Sequence, residues 1–178
     1  MRGILLIAYF ILSYTLCSSQ EFKIFRPLDA DISFLAPCDM EYATKDVLTE
    51  IGKLKTASWS CVSNSDGRQF AYVVTYTEYP EGTLPIDSTD LLQTVLDESI
   101  LQNVSDIKGD LVYKVSSPYQ NYIGMLYRAS FQENKAILKA RFILIHDILY
   151  NLQVYAPTEN SLSDDIDAFL NSFEYMGQ

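Results

Sequence analysis

The chain has 178 residues, and its 23 acidic residues outnumber its 13 lysines and arginines, which gives a net charge of −10 at pH 7. The basic residues are scattered rather than clustered, so the composition argues against nucleic acid or an anionic lipid surface as a partner. The length is that of one domain with one good core.

The N-terminal stretch has the layout of a secretory signal peptide. A single Arg2 precedes a mostly apolar segment over residues 3–16, and the small residues Cys17-Ser-Ser19 follow it. The apolar segment is shorter than the roughly 20 residues that a membrane-spanning helix needs. We therefore expect cleavage after Ser19 and a secreted or periplasmic protein with no membrane span.

The cysteines indicate an oxidising compartment. Cleavage after residue 19 leaves one domain over residues 20–178, with a net charge of 12 − 23 = −11 and two cysteines, Cys38 and Cys61. An even number of cysteines in an exported chain predicts a disulfide between them, and the alternative is two buried thiols. A lipid anchor at Cys17 is a rival to plain cleavage, but bacterial lipoprotein signals place a small residue where this chain has Leu16.

The first half of the mature chain predicts β-strands. Segments rich in alternating apolar, aromatic and β-branched residues occur at Ile32–Pro37, Tyr42–Val47, Lys53–Val62 and Phe70–Thr77. Gly52 falls in a tight connection between the second and third of them. Alternation in the third places Ala57, Trp59 and Cys61 on one face, so Cys61 can point inward towards the end of the first strand.

The period then changes to that of a helix. Leu84–Leu101 carries an apolar stripe, with Asp87, Ser88 or Thr89 as the N-cap, and the stripe residues are Leu91, Leu92, Val95, Leu96 and Ile100. Asn103-Val104-Ser105 matches the glycosylation sequon, which matters only in a eukaryotic source. Two further strands are predicted at Leu111–Val115 and Ile123–Phe131.

The last part of the chain predicts a hairpin and a covering helix. Ala136–Ile145 and Ile148–Tyr155 are strand-like runs separated by His146-Asp147, which suits a two-residue turn. A final helix is predicted from a stripe that follows Ser161 or Ser163 as N-cap: Ile166, Phe169, Leu170 and Phe173. We expect Phe142, Leu152 and Phe169 in the core. The order of elements predicts an α+β fold, an antiparallel β-sheet covered by helices.

Four segments resemble, in order and spacing, the exported bacterial domains of the PsbP-like class: Thr49–Leu54, Tyr72–Pro80, Ala140–Pro157 and Ala168–Phe173. That fold is named after the extrinsic photosystem II protein. The resemblance implies an α/β/α sandwich around an antiparallel sheet, in a class of mostly uncharacterised binding or accessory modules. Cys38 and Cys61 are not part of the shared pattern, and the resemblance assigns no functional residue.

No catalytic, metal or cofactor site is predicted from the residues. His146 is the only histidine and falls in a predicted turn, where a structural role is favoured over that of a general base. The acidic groups Asp164-Asp165-Ile-Asp167 and Asp29-Ala-Asp31 could be calcium ligands, but the first suits the positive end of a helix and neither has the pattern of an EF-hand. Paired carboxylates of a hydrolase cannot be recognised without their separation in space.

The candidate contact residues are Tyr119, Gln120, Asn121 and Tyr122, in a predicted loop after Pro118. Exposed aromatic and amide side chains there could stack on and hydrogen-bond a sugar or a partner protein, and the alternative is that they pack under the loop. The sequence thus leaves two hypotheses. The first is an exported, non-enzymatic domain that binds a protein or an envelope component, and the second is a small secreted hydrolase or carbohydrate-binding module with a carboxylate or tyrosine site.

Overall fold

A computed structural model describes residues 21–49, 52–65, 67–85 and 88–177. The predicted signal peptide and Cys17 lie outside these residues. The elements follow in chain order: β1 Lys23–Phe25, β2 Ile32–Ala36, β3 Glu41–Thr49, β4 Gly52–Ser65, β5 Arg68–Glu78, α1 Thr89–Asp106, β6 Asp110–Ser116, β7 Gly124–Phe131, β8 Ala136–Ile145, β9 Ile148–Pro157, a 3₁₀ turn Thr158–Asn160, α2 Asp164–Leu170 and β10 Glu174–Tyr175. Neither helix in this part of the chain is long and apolar enough to cross a membrane.

Seven of these strands form one antiparallel sheet in the order β3-β4-β5-β9-β8-β7-β6. The predicted hairpin is confirmed at its centre, where Ile145 pairs with Ile148 across the turn at His146-Asp147. His146 has φ 53°, the left-handed conformation that a polar residue tolerates in a tight turn. Strand β9 runs two residues further than predicted, through Pro157.

The large sheet has a core on each face because its central strands are apolar on both sides. On β8, Ile137, Ile143 and Ile145 belong to one cluster, whereas Leu138, Ala140, Phe142 and Leu144 belong to the other. Phe142, Leu152 and Phe169 are each at most 2% exposed, as expected. Strands that are buried on both faces need covering elements on both faces.

Helices supply only part of that cover. The face with Leu152 and Val154 packs against α2, which has seven residues, and against a small sheet with strand order β1-β2-β10. The opposite face packs against α1, which contacts β6 and β7. The fold is α+β, as predicted, but it is dominated by antiparallel sheet, and the small sheet was not foreseen because β1 and β10 have only three and two residues.

Helix α1 begins and ends five residues later than the sequence suggested. Ser88 is the N-cap and its hydroxyl accepts a hydrogen bond from the Leu91 amide at 3.4 Å. Leu84 is buried, but it lies in the connection before the helix, and the buried stripe continues to Val104. Leu91, a predicted stripe residue, is 54% exposed. The glycosylation sequon at Asn103 therefore lies inside α1.

The predicted disulfide between Cys38 and Cys61 is present, with a Cα separation of 6.0 Å. Cys61 lies on β4 beside Trp59 on the buried face, as the alternation predicted. Cys38 follows β2, so the bridge joins the small sheet to the large one. It adds a covalent link to the side-chain packing between the two sheets and to the contacts that α2 makes with β2, β8 and β9.

Candidate functional site

The predicted contact loop, residues 117–123, forms a tight turn between β6 and β7. Tyr119 and Tyr122 exchange two backbone hydrogen bonds, of 3.0 and 2.9 Å, and the amide of Ser117 donates to the carbonyl of Gly124. Gln120 stands at the corner of the turn with φ 52°. The exchange of bonds fixes the direction in which the side chains of Gln120 and Asn121 leave the loop.

Tyr119 points towards the core and fastens the loop to the C-terminal segment. Its ring packs edge-on against Phe173 at 5.1 Å between centroids, and its hydroxyl accepts a 3.0 Å hydrogen bond from the Tyr175 amide. Arg141 on β8 adds a second tie, because its guanidinium donates to the carbonyls of Pro118 and Leu170. Burial lowers the pKa of Arg141, while Tyr119 acts in the opposite direction.

The other three predicted contact residues lie together at one end of the sheet. Gln120, Asn121 and Tyr122 line a cavity of about 480 Å³, which we call the loop cavity; its remaining lining is Thr89, Leu92, Pro118, Ile123, Leu144 and His146. Tyr122 packs edge-on against His146 at 5.6 Å, and its hydroxyl lies 3.4 Å from Nε2 of that histidine. The structure thus joins the turn histidine to the predicted loop residues.

A second cavity was not predicted. It lies between α1 and strands β4, β5 and β9, has a volume of about 600 Å³, and is called here the polar cleft. Most of its lining is polar, with hydroxyl and amide groups from the strands and carboxylate, amide and hydroxyl groups from the helix: Thr56, Thr75, Thr77, Asn151, Gln153, Glu98, Ser99, Gln102, Asn103 and Asp106. Phe142 and Leu149 complete it.

The strand side of the polar cleft contains polar side chains that are almost fully buried. Asn151 and Gln153 are each 5% exposed. Oε1 of Gln153 accepts a 2.9 Å hydrogen bond from the Tyr155 hydroxyl. Oδ1 of Asn151 is buried and accepts no hydrogen bond from the described residues, and the same holds for Oδ1 of Asn103 on the helix side. Buried polar atoms normally have partners, so two unpaired amide oxygens along one cleft are unusual.

Burial also perturbs the tyrosines next to this cleft. The pKa of Tyr155 is raised by burial and, to a smaller degree, by the nearby Asp106. The pKa of Tyr127 is raised by burial and then by Tyr155. Both phenols are therefore neutral at physiological pH; the hydroxyl of Tyr155 donates to Gln153, whereas that of Tyr127 has no hydrogen-bond partner among the described residues.

The acidic group at the start of α2, considered above as a possible set of calcium ligands, has a structural explanation. Asp164, Asp165 and Asp167 lie in the first turn of α2, where the helix dipole favours carboxylates, and Asp167 also pairs with Lys139 at 2.5 Å. Among the residues that the structure describes, no group of three or more His, Cys, Asp or Glu side chains is arranged to hold a metal ion.

A structure similar to this chain is the solution structure of cyanobacterial PsbP from Synechocystis sp. PCC 6803, with a TM-score of 0.53 over 88% of this chain and 94% of that one, at 11% identity. The fold is PsbP-like. A Pseudomonas aeruginosa protein of unknown function, titled a putative regulator, aligns with a TM-score of 0.43 over 78% of this chain and 85% of that one, at 12% identity. No family profile and no curated protein sequence matches the chain.

The PsbP-like fold accounts for the sheet and its helices but assigns no role to either cavity, because one fold can carry unrelated sites. The signal that could have revealed the polar cleft is the alternation of β9. In that strand Asn151, Gln153 and Tyr155 share one side, opposite Tyr150, Leu152 and Val154. Polar residues at alternate positions of a central strand indicate either an exposed face or a lined cavity.

Proposed function

We propose that this protein is an exported, non-enzymatic binding or accessory domain whose partner is a protein or an envelope component. The signal-peptide layout of residues 1–19 and the Cys38–Cys61 disulfide support export to an oxidising compartment, secreted or periplasmic. The PsbP-like fold is compatible with that compartment.

The observation that carries the proposal is the rigid support of the loop cavity. Tyr119 and Arg141 hold the loop from beneath, so the exposed Gln120 and Asn121 need little ordering when a partner binds. A surface that is ordered in advance loses less conformational entropy on association. Tyr122, whose ring packs against His146, adds an aromatic side chain of a type that is enriched in protein interfaces.

The test uses the mature chain, residues 20–178, as bait for the exported fraction of its own source. The variant Gln120→Ala/Asn121→Ala removes the two exposed amides, and the matched control Gln132→Ala/Asn134→Ala removes two exposed amides from the β7–β8 turn, where Gln132 also has φ 52°. The control replaces two residues with positive φ, Gln132 (52°) and Asn134 (64°), and the loop variant replaces one, Gln120 (52°), so the control carries at least as much backbone strain as the loop variant. We expect the loop variant to retain at least tenfold less of the captured partner, while the control retains it in full. Equal capture by both variants would contradict a role for the loop.

Between the alternative functions, the polar cleft favours a carbohydrate-binding module over a hydrolase. A hydrolase with a carboxylate site needs acids that are withdrawn from water, because burial is what tunes their proton affinity. The two acids that line the cleft, Glu98 and Asp106, are both exposed. The groups that are buried there are amides, which bind but do not transfer protons.

A further inference from the structure

We propose that the polar cleft binds a neutral saccharide. The proposal deepens the carbohydrate-binding alternative and is independent of the loop cavity, which lies at the end of the sheet near the start of α1. The cleft volume of about 600 Å³ lies within the range of roughly 300 to 1,000 Å³ that is common for small-molecule sites.

One buried hydrogen-bond acceptor in the cleft, Oδ1 of Asn151, has no donor among the described residues. Asn151 is 5% exposed, lines the cleft and has a buried Oδ1 without a donor among the described residues. Asn103 presents a second unpaired Oδ1 from α1. A buried carbonyl oxygen without a donor loses the hydrogen bonds that it makes to water in the unfolded chain. Both oxygens have almost no solvent-accessible surface, so the Asn151 side chain must turn its amide towards the cleft for a ligand hydroxyl to supply the missing donor.

Several hydroxyl groups lie close together on the sheet side of the cleft. Thr56 on β4 stands directly opposite Thr77 on β5, and Thr75 stands directly opposite Asn151 on β9. Thr75 and Thr77 are two residues apart and therefore share a face of the sheet. Side chains in such directly opposite pairs have Cβ atoms about 5 Å apart. The cleft thus presents several neighbouring side chains that can both donate and accept hydrogen bonds. The hydroxyls around a sugar ring can pair with such groups.

The charged residues of the cleft lining are all acidic. Glu98 and Asp106 line the cleft, and no lysine, arginine or histidine is among the described residues that line it. Together with the net charge of −10, this disfavours phosphorylated or carboxylated ligands. Phe142 and Leu149 give the lining an apolar part, against which the C–H face of a sugar can pack. The buried polar groups are neutral, so the cleft suits a neutral ligand better than a cation.

The test follows backbone amide NMR signals of the mature chain during titration with maltotriose, cellotriose or N,N′-diacetylchitobiose. Spermidine and glucose 6-phosphate are the cationic and anionic comparison ligands. We expect saturable shifts with at least one saccharide, centred on Thr75, Gln102 and Asn151, and no saturable shifts with glucose 6-phosphate.

Two variants locate the binding without removing the buried amide. Thr75→Val deletes one hydroxyl while keeping the shape of the side chain, and Gln102→Ala deletes an exposed amide on α1. We expect each to weaken saccharide binding at least fivefold, whereas the control Thr94→Val leaves it unchanged, since Thr94 is an exposed residue of α1 outside the cleft lining and its hydroxyl bonds to the Asp90 carbonyl of the same helix. The proposal is overturned if no saccharide gives saturable shifts, if only spermidine binds, or if the shifts centre on the loop cavity. The result of the partner-capture experiment with the loop variant does not bear on saccharide binding by the polar cleft.

Discussion

Removal of the Cys38–Cys61 bridge tests how the two sheets are held together. The perturbation is the double variant Cys38→Ala/Cys61→Ala in a chain of residues 20–178, which contains no other cysteine. The bridge joins residues 23 apart in the sequence. Cross-linking a loop of that length lowers the entropy of the unfolded chain by an amount worth about 3.4 kcal/mol at 25 °C in the chain-entropy model.

Packing adds little to that figure. Cys61 is 8% exposed, whereas Cys38 is only partly buried, so the alanines leave only a small gap between β2 and β4. We expect the free energy of unfolding to fall by about 3 to 4 kcal/mol. For a chain of this size, each 1 kcal/mol lowers Tm by about 2 to 4 °C, which corresponds to a fall of about 6 to 16 °C.

The assay is unfolding by urea and by heat, followed by circular dichroism, for the oxidised protein, the double variant and the reduced wild type. Reduced wild type and double variant should agree, because both lack the cross-link and differ only in two sulfur atoms. A thiol titration in denaturant should find no free thiol in the oxidised mature protein. A loss of stability below about 1 kcal/mol, or two titratable thiols, would refute the argument that a covalent link between the sheets matters.

Three further predictions concern the core, the turn and the phenols. Leu96→Ala should lower the free energy of unfolding by about 2 to 5 kcal/mol because Leu96 is fully buried on the inner face of α1, whereas Leu91→Ala, at a site on the same helix that is 54% exposed, should change it by less than about 1 kcal/mol in the same urea titration. Equal effects would contradict the observed helix orientation. His146→Asn should change stability by less than about 0.5 kcal/mol, since asparagine also tolerates the left-handed turn conformation, and a large loss in thermal unfolding would point to a further role for the histidine. Burial raises the pKa of Tyr127 and Tyr150 above that of tyrosine in the unfolded chain, so the contribution of these two phenols to stability should be constant below about pH 10 and fall above it by up to about 1.4 kcal/mol per pH unit for each phenol. Urea midpoints that do not change between about pH 10 and pH 11.5 would disprove the shifts.

The β-hairpin and the disulfide were predictable because each depends on local chemistry. His146-Asp147 interrupts two long strand-like runs, and a two-residue turn fixes their register without reference to the rest of the chain. The pairing of Cys38 with Cys61 followed from the number of cysteines and the alternation of β4. The PsbP-like resemblance added the fold class, an antiparallel sheet with helices, but not the order of the strands in the sheet.

The start of α1 was less predictable because a buried apolar residue before the helix resembles a residue of the helix itself. Leu84 is buried in the α1-side core, so its apolar character resembled the first position of the helical stripe. Ser88 lies four residues later and caps the helix, as one of the three predicted alternatives. An apolar residue near a helix start indicates a core contact, and only the capping residue indicates where the helix begins.

The alternation of β9 indicates a polar face but does not by itself predict a cleft, because alternation identifies the two faces of a strand and not what covers each face. Strand β9 is central and buried on both sides, so a sequence of this kind is expected to be apolar at every position. Helix α1 contacts β6 and β7, and a cavity separates it from β4 and β5. Asn151 and Gln153 lie where the covered and open parts of that face meet.

That position explains why the amides of Asn151 and Gln153 are informative about function. On an open face they would be solvated, and in a closed core they would be replaced by apolar residues at no loss of stability. Here they are buried beside a cavity, and Oδ1 of Asn151 lacks a donor, which is a cost that folding alone does not require. Sequences tend to break the rules of packing where a site needs a polar group, so this cost is best explained by a ligand that repays it on binding.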